Sequence, residues 1–237
     1  MTALAIGAAT DEGALTIRLA NVEIMLRPSG ALWLAQAQML VVADLHLEKG
    51  SAYAVRGQLL PPYDTRETLD RLEREIDALR PRSVVLLGDT LHDVGAGLRI
   101  AEAERARIAA LATRIRLIWV CGNHDPDGAG DLGGETAAQI HIAGLTLRHD
   151  PSPHPVLGEV AGHLHPCARL HGPAGSIRRR CFASDGRRLI LPAFGAYAGG
   201  LNVRDAAFAD LFNTPPVSFA LGRSVTPIAY QRLRPDR

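Results

Sequence analysis

"VVADLHLEKG", residues 41–50, is an apolar run that breaks off into Asp44 and His46, with Glu48 and Lys49 behind them. A buried strand has no structural use for a carboxylate and an imidazole two positions apart at its end, because each loses hydration there and needs a partner. The pattern recurs twice. "VVLLGDTLHD" (84–93) ends on Asp89, with His92 and Asp93 just beyond, and "LIWVCGNHDP" (117–126) ends on Asn123 and His124. Each apolar run is bounded and too short for a helix, so each reads as a buried strand.

The segments between these runs read as helices. Asp64 and Glu67 match a capping box, and Leu69, Leu72, Ile76 and Leu79 recur at helical spacing until Pro81 stops them. A second helix covers about 100–113, with Ile108 and Leu111 on its apolar side. Strand, helix, strand, helix, strand predicts an α/β unit with a parallel sheet. Residues 51–63, punctuated by Gly and Pro, read as a loop. Segments 15–19, 22–27 and 31–34 read as antiparallel strands leading into 39–43. Downstream, 139–149, 157–162, 177–183 and 187–193 read as strands, the last two joined by Asp185-Gly186 as a type I′ turn. The tail from about 206 reads as strand and loop closing the sheet. With no repeat, low-complexity tract or long linker, residues 1–237 are expected to form one domain.

An apolar fraction of 47% in 237 residues supports a substantial core. A net charge of +1 gives no global footprint for nucleic acid or membrane, so any basic surface must be local. Cys121, Cys167 and Cys181 are odd in number and form no CxxC pair, which fits a reducing compartment. The first residues, "MTALAIGAATDEG", lack a basic leader region, and no stretch reaches the roughly 18 apolar residues of a membrane span. The expectation is a soluble cytoplasmic protein.

In open α/β sheets, ligands bind beyond the carboxyl ends of the strands. His149, after "LTLR", and His163 and His165, in "GHLH" after "LGEVA", extend the series. His141 and His154 compete with His149 for its place. Alone, Asp-x-His is weak and "GD" is more often a turn; order and strand-end context carry the signal. Asp44, His46, Asp89, Asn123, His149, His163 and His165 form a carboxylate, amide and imidazole set suited to borderline divalent ions, Mn²⁺ first and Fe or Zn next. Seven ligands exceed one ion's needs, and two-metal hydrolytic sites hold their ions about 3.5–4 Å apart.

The series "DLH", "GD", "GNHD", a later His and "GHLH" resembles the calcineurin-like metallophosphoesterase superfamily over residues 39–166. That resemblance implies an α/β fold: a metallophosphoesterase-type β-sandwich flanked by helices, with a βαβαβ half and a largely antiparallel second half. It implies one ion on Asp44, His46, Asp89 and His165, and a second on Asp89, Asn123, His149 and His163. Asp89 and a water or hydroxide would bridge them, and His124 would be catalytic rather than a ligand. "LPPYDTRETLDRL", "GHLHPCARL" and "RRLILPAFGAYAGGLNV" are similar to the ligase-associated DNA-damage-response endonuclease branch, extending the match to about residue 205. This implies hydrolysis of DNA phosphodiester bonds in repair, with a DNA ligase and other repair proteins as partners. The alternatives are a small-molecule phosphodiesterase or phosphatase, acting for instance on a cyclic nucleotide, and a metal-free binding scaffold.

Two further groups have weaker signals. His92 and Asp93 would orient a ligand or line the pocket, or form an ordinary loop pair. Arg178 and Arg180, with Arg179, Arg187 and Arg188 on the same predicted hairpin, suit phosphate contacts but equally suit a solvated hairpin.

Overall fold

The computed structural model describes residues 4–128, 130–172 and 175–236. Residues 1–3 of the N-terminal stretch and Arg237 of the polar tail lie outside the described residues. One sheet runs in spatial order β1 (Ile6–Ala9), β2 (Leu15–Leu19), β3 (Val22–Leu26), β4 (Leu32–Leu34), β5 (Met39–Ala43), β6 (Ser83–Leu87), β7 (Arg116–Val120) and β8 (Glu135–Ala137). It is antiparallel as far as β5 and parallel from β5 to β8. The connections carry α1 (Lys49–Val55), α2 (Asp64–Leu79), α3 (Ala96–Arg99) and α4 (Glu102–Arg114).

The second sheet contains β9 (Ile140–Ile142), β10 (Leu145–Arg148), β11 (Glu159–Ala161), β12 (Cys167–Gly172), β13 (Gly175–Ser184), β14 (Arg188–Ile190), β15 (Val217–Ala220) and β16 (Thr226–Ile228). Its order is β16-β15-β13-β14-β11-β10-β9, with β12 paired to β13. It is antiparallel except at β10–β11 and β11–β14.

The sheets meet through a core that includes Leu26, Val41, Val85, Val120, Leu147, Val160, Phe182 and Phe219. On the outer face of the first sheet, Leu69, Leu72 and Ile76 of α2 and Ile108 and Leu111 of α4 pack over Val42, Leu86 and Trp119. Every residue of β5 and β6 is buried because both faces are covered, which is why these strands read as continuous apolar runs. The expected sandwich with a parallel unit is present, with α1 to α4 in the connections of the first sheet. Among the described residues, no helix is long and apolar enough to cross a membrane.

Four local expectations are corrected. Residues 51–63 are not all loop, since α1 runs to Val55. Asp64 does not cap its own helix: it is the first residue of α2, behind Tyr63, and its Oδ2 accepts from Gly50 N (3.1 Å), pinning α1 instead. The single strand expected over 139–149 is two, β9 and β10, turned at Ala143 (φ 51°) and Gly144 (φ 81°). The β13–β14 connection is not a type I′ turn, which needs positive φ at both central residues. Ser184 pairs with Leu189, Gly186 takes φ 85°, and Asp185 Oδ1 accepts from Arg187 N (2.9 Å) and Arg188 N (3.0 Å).

Candidate metal centre

The carboxyl ends of β5, β6 and β7 lie at one rim, and those of β10 and β11 in the second sheet come to the same rim. Backbone bonds stitch the loops beyond them: Asp44 N donates to Gly88 O (3.2 Å), His46 N to Asp89 O (2.9 Å) and Gly162 N to His149 O (3.0 Å). The polar residues there adopt an unusual backbone. Asp44 (φ 54°), His46 (45°), Glu48 (67°), Asp89 (43°), His163 (68°) and His165 (46°) all occupy the left-handed region. Asp and His tolerate it better than most residues, and such strain gathers where surrounding structure enforces it. Leu45 and Leu47, between them, are buried in the helix-side core. The motif therefore divides its residues, leucines to the core and polar groups to the rim.

Besides a group of His46, His92 and His124, two groups unite carboxylates with imidazoles: Asp44, His46 and His165 are one, and Asp89, His149 and His163 the other, each offering ligand atoms within 4.8 Å of one another. His149 joins them, its Nδ1 3.5 Å from Asp44 Oδ1 and its Nε2 3.4 Å from Asp89 Oδ2. Within the groups, His46 Nε2 faces His165 Nε2 at 3.2 Å, and His149 Nε2 faces His163 Nδ1 at 3.1 Å. Nitrogen ligands about 2.0–2.1 Å from one ion lie about 2.9–3.4 Å apart between right-angled and tetrahedral geometry, so these spacings fit a shared ion. The chemistry agrees. Burial, then the neighbouring His165, pushes His46 down to about 3, leaving a neutral ring with a lone pair to give. Burial alone would raise Asp89, but His149 and the backbone N–H of His124 hold its carboxyl well below the usual range. Burial likewise opposes a charged His149, and the facing Asp89 and Asp44 outweigh it.

The structure brings His149 into this cluster rather than its rivals. His141 is exposed on β9 and bonded to Thr146 Oγ1 (3.1 Å), and His154 lies exposed, its carbonyl accepting from Arg188. Asn123 stands exposed on the loop after β7, between Gly122 and His124. That loop is held tightly, since a Cβ on Gly122 would come within 2.1 Å of Asp89 N. His124 N donates to Asp89 Oδ1 (2.9 Å), and its ring stacks on His92 at 5.6 Å.

Residues 37–216 match the model of the calcineurin-like phosphoesterases. The chain belongs to the calcineurin-like phosphoesterase family. It is thus a metal-dependent phosphoesterase, and the histidine–aspartate groups fit divalent ions. The Pseudomonas putida nuclease MPE is similar over 91% of this chain and 100% of its own, with 27% identity and a TM-score of 0.69. Yfce, a phosphoesterase from E. coli, aligns over 81% of this chain and 98% of its own, at 16% identity and a TM-score of 0.41. No curated protein matches the chain significantly.

The phosphoesterase also relies on residues that sequence reasoning did not single out. Asp125, the last letter of "GNHD", is buried, and its Oδ2 accepts from Thr90 N (2.8 Å) and Leu91 N (3.1 Å) while Oδ1 accepts from Gly122 N (3.1 Å). It locks the loops after β6 and β7 together. Burial, the largest cause, pushes this carboxyl up to about 6. Asp93 accepts from Gly95 N (2.8 Å) and from Arg99 Nη2 (2.7 Å). His92 lines the pocket, 5.5 Å from His46 between ring centroids.

The arginine hairpin is largely structural. Arg178 Nη2 donates to Gly200 O (2.6 Å) and pairs with Asp236, and Arg188 is wholly buried against Glu159 (2.6 Å). Arg180 Nη1 donates to Ala193 O (2.7 Å), and Arg71 Nη1 donates to the next carbonyl, Phe194 O (2.7 Å). Together they hold a strap whose Gly195 N donates to Asp44 O (3.3 Å), and a Cβ on Gly195 would meet Leu45 O at 2.1 Å. This is the role of "LPAFGAYAGG": it backs the Asp44 loop. Both Arg178 and Arg180 have protein acceptors, each through one nitrogen of a guanidinium that carries five N–H donors.

Proposed function

We propose that this phosphoesterase is a dinuclear-metal phosphodiesterase that hydrolyses DNA phosphodiester bonds in repair, in a reducing cytoplasmic setting and in company with a DNA ligase. The observation that carries the metal chemistry is the pair of histidine–aspartate groups joined through His149; the likeness to a nuclease over that protein's full length supports the substrate. One ion would be held by Asp44, His46, Asp89 and His165 and the other by Asp89, Asn123, His149 and His163, with Mn²⁺ the first candidate. When bound, such ions supply Lewis-acid stabilisation of the phosphate oxygens and a water of lowered pKa.

The chain's own contribution centres on His124. Its Nδ1 lies 2.6 Å from His92 O, a carbonyl that can only accept, so Nδ1 carries hydrogen and the ring is fixed with Nε2 free. Nε2 sits 3.9 Å from Asp89 Oδ2, beside the ion groups. As imidazolium, His124 gives its Nε2 proton to the oxygen leaving phosphorus while His92 O keeps the Nδ1 hydrogen. General-acid assistance of this kind is worth about 10²–10⁴-fold. His124→Ala is therefore expected to cut turnover of a DNA oligonucleotide by about that factor with metal content intact. Bis(p-nitrophenyl) phosphate, whose leaving group needs little proton help, should suffer less. Loss of bound metal in the variant would instead make His124 a ligand.

The test of the whole reading starts with chelator-stripped protein. Mn²⁺ restored in steps should bring back hydrolysis of bis(p-nitrophenyl) phosphate and then cleavage of DNA. Diester turnover without any DNA cleavage would leave a phosphodiesterase of small molecules.

A further inference from the structure

Beside the site, on the His92 side, lies a surface that the chemistry above does not use. Val55 on α1, Leu59 beyond it, and Val94 and Leu98 at α3 are each more than three-quarters exposed, and Tyr63 is exposed with them. These exposed apolar side chains stand on or next to α1 and α3, which pack on each other. Its frame is fixed, because Arg99 of α3 donates from Nε to Ser51 Oγ of α1 (2.9 Å) and from Nη2 to Asp93.

The inner edge of this surface continues into the centre as a row of flat rings. Tyr53 on α1 lies 6.2 Å from His92 at 38°, and His92 stacks on His124 at 5.6 Å and 21°. Cations accompany the row. Lys49 Nζ lies 6.0 Å above the Tyr53 ring, and Arg56 is exposed one turn further along. Lys49 and Arg56 both add, after burial, to the lowering of His92's pKa, so their charges reach the pocket wall. Among the described residues, neither cation is in an ion pair. Two neighbouring carboxylates are engaged elsewhere: Glu48 is buried on Thr65 Oγ1 (2.8 Å), and Asp93 is held by Arg99 (2.7 Å).

We propose that this rim seats the nucleotides flanking the scissile phosphate, with Tyr53 as a stacking face for a base and Lys49 and Arg56 as contacts to neighbouring phosphates. The proposal rests on the nuclease reading and adds how that site holds a strand. An aromatic face, apolar surroundings and cations lacking anions, in line with a phosphoryl site, match what a flexible nucleic-acid strand presents. A protein partner would account for the apolar residues but not for unpaired cations along the inner edge.

The test compares two substrates with the Mn²⁺-loaded protein. Tyr53→Ala should lower kcat/KM on a single-stranded oligonucleotide by about 5- to 100-fold, mainly through KM, and Tyr53→Phe should restore it. Lys49→Ala with Arg56→Ala should flatten the salt dependence of oligonucleotide binding by about 1.4 in the log–log slope, at about 0.7 per phosphate contact. Bis(p-nitrophenyl) phosphate has no flanking nucleotide, so its turnover should stay within about twofold, which also reports correct folding. Equal losses on both substrates would overturn the proposal, since the residues would then only support the metal centre. Unchanged oligonucleotide kinetics would overturn it too, leaving the patch to a protein partner. If the parent protein cleaved no oligonucleotide while hydrolysing the small diester, this proposal and the nuclease reading would fall together.

Discussion

Asp89→Asn is expected to leave a folded protein that binds divalent metal poorly and has lost hydrolysis. The substitution keeps the side chain's shape, and asparagine tolerates the left-handed conformation (φ 43°) that the position requires. Its amide oxygen can still accept from His124 N, so the loop after β7 should hold. What disappears is the negative charge of a buried carboxylate that lies 3.4 Å from His149, while the backbone carbonyl that anchors His46 N is kept. On the proposed assignment Asp89 is the ligand common to both ions, so each ion loses its shared anionic donor at once. The loss should exceed the about 10- to 100-fold typical of a residue that merely supports a ligand. Metal content by elemental analysis and turnover of bis(p-nitrophenyl) phosphate would measure both effects. A variant with full metal and near-parental turnover would remove Asp89 from the centre.

The second large effect concerns stability. Arg188→Ala is expected to cost about 3–5 kcal/mol, because it leaves Glu159, which is also wholly buried, with only the more distant Arg148 (3.9 Å) as counter-charge. That is a large share of the about 5–15 kcal/mol that holds a typical domain together. The guanidinium also donates to Leu211 O (2.7 Å), Ser152 O (2.8 Å) and His154 O (2.7 Å). It therefore ties the loop that follows His149 to β11, the strand that leads to His163, and the same ion group depends on both ends. Glu159→Gln combined with Arg188→Met should cost less than the single change, since no charge is left buried alone. Urea unfolding of the three proteins would show this ordering. A single variant within about 1 kcal/mol of the parent would mean that water enters the pair.

Strand ends carrying Asp44, His46, Asp89, Asn123, His149, His163 and His165 were legible without coordinates. An apolar run that stops at a carboxylate or imidazole records burial and its abrupt end, and that is local information. The same holds for α2 and α4, whose leucine and isoleucine spacing marks the buried face. Helix α1 was not legible, because it is short and its start is pinned by Asp64 from the next helix rather than by its own residues.

The sequence by itself determined which strands are buried, which residue types stand at their ends, and the family. Only the tertiary structure decided that Asp44, His46, Asp89, His163 and His165 take left-handed backbone and that Asp125 locks two loops. It also decided that Arg180 and Arg71 brace a strap behind Asp44, and that Arg188 is core rather than surface. The reason is physical. Side-chain periodicity follows from the chain's own repeat, whereas a strained φ or a buried ion pair is held by partners distant in sequence that folding brings together.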